Sequence, residues 1–167
     1  MDFFQHTTNW IKGEILEAII MAVFGVLILL SSFLLWKWGL TPNARTLVIP
    51  LLIVGLIPVI AGVSTTISNN KRLIEYESMW NNDQQQFKLD EKARVEGFDE
   101  IFKYSYPAAI LLTIGGAILF FLVGSPLWKS ISLCMMVLGL MAYIIDHFAA
   151  ERAIIYLEKI NESLSDY

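Results

Sequence analysis

The densest polar group beside an apolar run is Asp146, His147, Glu151 and Arg152. His147 and Glu151 are four residues apart. On a helix they share a face, and an imidazole nitrogen with a carboxylate oxygen can ligate one metal ion. The ligand set is incomplete. Helix-bundle di-metal centres need Glu-x-x-His on two helices, and neither His6 nor His147 has a glutamate three residues before it. His147, Glu151 and Asp146 are therefore the metal candidates, but the expectation is an ion-pair network between packed helices, with no metal, no cofactor and no catalytic residue. Glu14 and Glu17 stand at the same depth on the first apolar run, and Glu96, Asp99 and Glu100 precede the third. Ionisable groups at a hydrocarbon edge invite a functional reading.

Other chemistries lack their residues. There is no phosphate-binding glycine loop, no Ser/His/Asp or Cys/His set and no CxxC. Cys134 is the single cysteine, so no internal disulfide forms, and it reads as a small packing residue. The net charge of −4 disfavours nucleic acid as a partner.

The elements that must position these groups are set by where charge is missing. Of 167 residues, 56% are hydrophobic and 17% charged, below the quarter or so usual in soluble domains. The charges leave gaps over Ala18–Trp36, Thr46–Asn70, Tyr104–Trp128 and Ser130–Ile145. A hydrocarbon core of about 30 Å takes about 20 helical residues. The first three gaps reach that length and the fourth falls short. The gaps are apolar on every face, which excludes the alternation of a β-barrel, and only a helix satisfies its own backbone in lipid. The expected fold is all-α: a polytopic membrane protein with spans at 14–36, 46–67, 105–124 and 127–147. The start of the chain is mixed and aromatic and has no small-residue cleavage site, so the first span is expected to be retained.

Nine of the twelve Lys and Arg lie in the N-terminal, central and tail segments, as does every Asp and Glu. The positive-inside rule then puts both termini in the cytoplasm, in a plasma membrane of bacterial type, with Trp36, Trp38 and Trp128 at headgroup depth on the far side. The two halves also look alike. Thr41-Pro42 and Ser125-Pro126 are 84 residues apart, as are Gly55 and Gly139. Arg72-x-Ile-x-Tyr76 matches Arg152-x-Ile-x-Tyr156 at a spacing of 80, one helical turn less. Glu14-Ile15-Leu16 resembles Glu100-Ile101-Phe102. The expectation is two copies of one hairpin, related by an axis along the membrane normal.

Outside the spans, 1–13 reads as an interfacial amphipathic segment, 68–104 as a cytoplasmic helical hairpin and 148–167 as a tail helix. The hairpin is expected to turn at Asn81-Asn82-Asp83, with its second helix starting near Asp90. Lys71 with Glu75, Lys92 with Glu96, and Asp99 with Lys103 are i, i+4 pairs. Apolar stripes (Leu73, Tyr76 and Trp80; Val95, Phe98 and Phe102; Ala149, Ala153, Tyr156, Ile160 and Leu164) should pack together or form a groove. Arg72, Tyr76, Trp80, Phe98, Arg152 and Tyr156 are the interaction candidates. Pro50, Pro58 and Gly62 mark the second span as kinked, and a bend is also expected at Pro107.

These features point to a non-enzymatic integral membrane protein that works by protein–protein interaction, within the membrane or through its cytoplasmic helices. Its partners would be the lipid bilayer and either another protein or further copies of itself. Bacterial immunity proteins against membrane-acting toxins are similar in build, being small, four-span and without catalytic residues; regulatory or accessory subunits fit equally. The alternative is an oligomeric ion channel or small-solute transporter lined by the kinked second span.

Overall fold

A computed structural model of the chain describes residues 3–165, apart from the Asp99 side chain. The Asp99–Lys103 pairing thus lies outside the described residues, as do residues 1–2 and 166–167 of the two terminal segments. Four helices follow one another: α1 (Phe3–Trp38), α2 (Pro42–Asn82), α3 (Gln84–Leu122) and α4 (Pro126–Ser165). Each is long and apolar enough to cross a membrane. The 41 residues of α2 extend about 60 Å, twice a hydrocarbon core. Leu27, Leu30, Ile53, Leu111, Phe121 and Ile144 are exposed along these helices, as residues facing lipid would be.

The helix boundaries have local causes. Thr41 caps α2 by accepting the Ala44 N–H at 3.2 Å, with Pro42 in the first turn, where a missing N–H costs nothing. Asp83 alone separates α2 from α3. Its extended backbone ends one helix, and its carboxylate caps the next by accepting the N–H groups of Gln85 at 3.0 Å and Gln86 at 2.9 Å. This corrects the expected start near Asp90: Asn81 and Asn82 are still helical, α3 begins at Gln84, and Asp90 instead accepts from the Gln86 side chain at 2.8 Å. Helices α2 and α3 run uninterrupted through Pro50, Pro58 and Pro107. Residues 3–13, read as interfacial, are the first turns of α1, and their Phe3, Trp10 and Ile11 are buried in the bundle.

Helix α1 packs along α2 and α3 along α4, and the two hairpins meet through α2 and α4. Glycines set the close approaches. A β-carbon on Gly55 would stand 3.1 Å from the Gly25 carbonyl oxygen, and one on Gly139 2.7 Å from that of Ala109. At the end holding the short turns, the Thr46 and Ser130 hydroxyls lie 3.0 Å apart. At the other end, where both termini and the Asp83 turn lie, Phe3, Trp10, Trp80, Phe87, Val95, Tyr156 and Ile160 form the larger core. The three predicted stripes pack together there except for Ala149, with Leu73, Tyr76, Phe98, Phe102 and Leu164 at the margin.

Candidate functional site

At the centre of that polar end is a carboxylate absent from the expected site. Glu91 sits on α3 with 1% of its side chain exposed. Removing a carboxylate from water costs several kcal/mol unless strong bonds replace hydration. Four do. Glu91 Oε2 accepts from the Tyr76 hydroxyl at 2.7 Å and from Arg94 Nε at 2.9 Å. Its Oε1 accepts from Arg94 Nη2 at 2.6 Å and from the Tyr156 hydroxyl at 3.1 Å. The Tyr156 hydroxyl also lies 2.7 Å from the hydroxyl of Thr7 on α1. The carboxylate thus ties α2, α3 and α4 directly, and α1 through the Tyr156 hydroxyl.

The protonation of this group follows from its neighbours. Burial raises both phenols above their ordinary value, and the Glu91 charge beside them raises them further. Both stay neutral donors. Burial works against the Arg94 cation, but the hydrogen bonds and charge of Glu91 outweigh it and hold Arg94 more firmly protonated.

All four helices also line an open cavity of about 420 Å³, and Glu14 on its wall is paired with Arg94. Arg72 Nη1 stands 3.6 Å from Glu14 Oε2 and donates to Asn69 Oδ1 at 2.7 Å. Arg94 Nη1 is 3.7 Å from Glu14 Oε1. Arg152 Nη2 is 2.6 Å from Glu17 Oε2, and its guanidinium lies over the Trp10 ring. Gly13 makes room for it, since a β-carbon there would run into the guanidinium. The opposite wall is apolar, from Phe98, Ile101 and Phe102 of α3.

The structure therefore gathers Arg72, Tyr76, Phe98, Arg152 and Tyr156 into one place, with Trp80 in the core next to them. They are occupied internally. Tyr156 is 4% and Trp80 9% exposed, so neither presents a surface to a partner. The Asp146 group is not gathered. His147 Nε2 and Glu151 Oε1 are 3.7 Å apart and both more than half exposed, while the Asp146 main-chain carbonyl accepts from the Tyr106 hydroxyl. Among the described residues no three His, Cys, Asp or Glu stand close enough to hold a metal ion. Pro50, Pro58 and Gly62 are buried, and Pro58 and Gly62 pack against α1: a β-carbon on Gly62 would meet the Ala18 carbonyl, and one on Gly25 would lie 2.9 Å from Pro58 Cγ.

A signal for Glu91 and Thr7 was present in the sequence. Glu91 is the charged member of the stripe Glu91, Val95, Phe98, Phe102, and Thr7 the polar member of Phe3, Thr7, Trp10, Ile11. A polar residue on a core-facing stripe needs a partner. Set against protein-family models, curated proteins and solved structures, this chain finds no match.

Proposed function

We propose that this chain is a non-enzymatic integral membrane protein, built of two repeated hairpins, that docks a partner protein on its cytoplasmic end. The observation that carries the docking is exposed apolar surface outside the four charge-free runs. Ile74 is 75%, Ile154 64% and Ile155 59% exposed, all beyond the apolar spans. Ile154 and Leu157 join Val95 and Ala153 in a groove of about 570 Å³, with Glu158 and Glu162 at its rim. An apolar floor with an acidic rim suits an amphipathic segment carrying basic residues. The nine basic residues near this end favour its cytoplasmic placement.

Contacts recurring at one spacing support the repeat. The Ser32 hydroxyl donates to the Val48 carbonyl at 2.7 Å, and a β-carbon on Gly116 would stand 2.8 Å from the Ser132 carbonyl. Each residue of the second pair is its counterpart plus 84. Gly25 and Gly55 answer to Ala109 and Gly139, Ala22 and Gly62 to Tyr106 and Asp146, and Thr41 and Arg45 to Ser125 and Lys129 in the same way. In this register Glu14 answers to Phe98, not to Glu100, and Thr7 answers to Glu91.

A photoreactive side chain at position 154 or 155, in cells, tests the docking. The expected product is a discrete adduct with a second protein, lost in Glu158→Lys/Glu162→Lys. Adducts with this chain alone, or with lipid alone, would overturn it.

A further inference from the structure

At the end with the short turns the chain carries Lys37, Arg45 and Lys129 and no acid. No Asp or Glu lies between Glu17 and Glu75, or between Glu100 and Asp146. Along α1, Glu17 is about 30 Å from Trp38, so the acids of the other end do not reach these cations. Two of the three are engaged by aromatic rings. Lys37 Nζ lies over the Trp38 ring at 4.9 Å, and Lys129 Nζ over the Phe120 ring at 5.7 Å. Arg45 differs. Its Nε donates to the Gly39 carbonyl at 3.2 Å, and among the described residues its two terminal nitrogens have no partner. The residue is exposed. Two free guanidinium nitrogens form a fork that matches a phosphate. The first turn of α2, capped by Thr41, adds partial positive charge beside it.

Two apolar grooves start at Arg45. One lies between α1 and α2, along Leu29, Phe33, Trp36 and Leu52. The other lies between α2 and α4, along Ile53, Ile131, Met135 and Leu138. Arg45 and Ile49 line both, and Ile49, 69% exposed, is the ridge between them. From Arg45 to Val54, α2 runs about 14 Å, and one leaflet of the hydrocarbon core is about 15 Å deep. A partner helix would fill a single groove. One anionic head with two chains fills both and meets the cation where they join. An ammonium on the same head would find no counter-charge at this end, so the head carries net negative charge.

We infer that Arg45 and its two grooves hold one net-anionic, two-chain phospholipid, from the leaflet on the side of the short turns. Its phosphate takes the two terminal nitrogens of Arg45, and its chains lie on either side of Ile49. This rests on the membrane reading above and is independent of the docking groove.

Native mass spectrometry of the full chain, released from its membrane in mild detergent, tests it. Phosphatidylglycerol, phosphatidylethanolamine, phosphatidylcholine and single-chain lysophosphatidylglycerol are compared. The expected result is one phosphatidylglycerol retained per chain, about tenfold over each of the others. Arg45→Gln should remove the preference. Lys37→Gln and Lys129→Gln should keep it, because those cations already lie over rings. Leu52→Trp closes the α1 groove from an exposed position and should bring phosphatidylglycerol down to the level of its single-chain form. Equal retention of the three two-chain lipids, equal retention of the single-chain form, or the same loss in Lys129→Gln as in Arg45→Gln would each overturn the inference. Those outcomes leave the membrane reading intact, whereas recovery of the chain in the soluble fraction would overturn both.

Discussion

Tyr76 and Tyr156 end on the two oxygens of a single carboxylate, at 2.7 Å on Oε2 and 3.1 Å on Oε1 of Glu91. The two phenols come from different hairpins, so this carboxylate fastens the hairpins to each other. Glu91→Gln takes from the buried Arg94 cation its hydrogen-bonded counter-charge and leaves it only Glu14, 3.7 Å from Nη1. It should lower stability by about 3–5 kcal/mol, as breaking a buried pair from one side does. Unfolding in mixed micelles measures this. A loss under 1 kcal/mol would mean that Glu91 is wet.

The same phenols give a pH signature. Burial lifts each above its ordinary value of 10.0, so in the folded chain they keep their protons where the unfolded chain has lost them. Their contribution is complete below pH 10 and declines above it, by about 1.4 kcal/mol per pH unit for each phenol. Tyr76→Phe and Tyr156→Phe should each flatten the alkaline slope relative to the parent chain. Parallel slopes in parent and variants would show that both phenols ionise freely.

The outer contact between the hairpins can be locked. The Thr46 and Ser130 hydroxyl oxygens are 3.0 Å apart. Thr46→Cys with Ser130→Cys, in a Cys134→Ser background, should form an intramolecular disulfide under mild oxidation. Crosslinking only between chains would place α2 and α4 apart.

Glycines divide sharply by what surrounds them. Gly97 and Gly115 have nothing within 4 Å of a β-carbon, whereas Gly55 and Gly139 face the backbone or side chains of the neighbouring helix. Gly97→Ala should leave stability unchanged or raise it by up to about 1 kcal/mol through helix propensity. Gly55→Leu and Gly139→Leu should each prevent close packing and lower the unfolding midpoint. Equal effects at Gly97 and Gly139 would contradict the packing.

Asp83 is the one residue between two long helices. Asp83→Ala removes both cap bonds and should cost about 0.5–2 kcal/mol, and Asp83→Ser should restore most of it. Helical content is unaffected, so thermal midpoints, not far-ultraviolet dichroism, carry the answer.

The four long apolar helices were legible because an absence of charge over 20 residues is a local property of the sequence. Helix ends were legible where proline follows a hydroxyl, at Thr41 and Ser125. The start of α3 was misplaced because Asp90 and Asp83 are equally good caps by residue type, and only the continuity of Gln84–Leu89 decides between them. The buried centre was the hardest part. Tyr156 meets Glu91 across 65 residues and Thr7 across 149, distances over which composition and periodicity carry no information. Arg72, Tyr76, Arg152 and Tyr156 could be singled out by their repetition, but not the acid that Tyr76 and Tyr156 share.

Thr7 and Glu91 are 84 positions apart, and Tyr156 touches both. The charge of Glu91 is answered by Arg94 of its own helix, while the first hairpin contributes neutral hydroxyls, that of Tyr76 directly and that of Thr7 through Tyr156. At this carboxylate the two hairpins are therefore joined by proton donors and not by opposite charges.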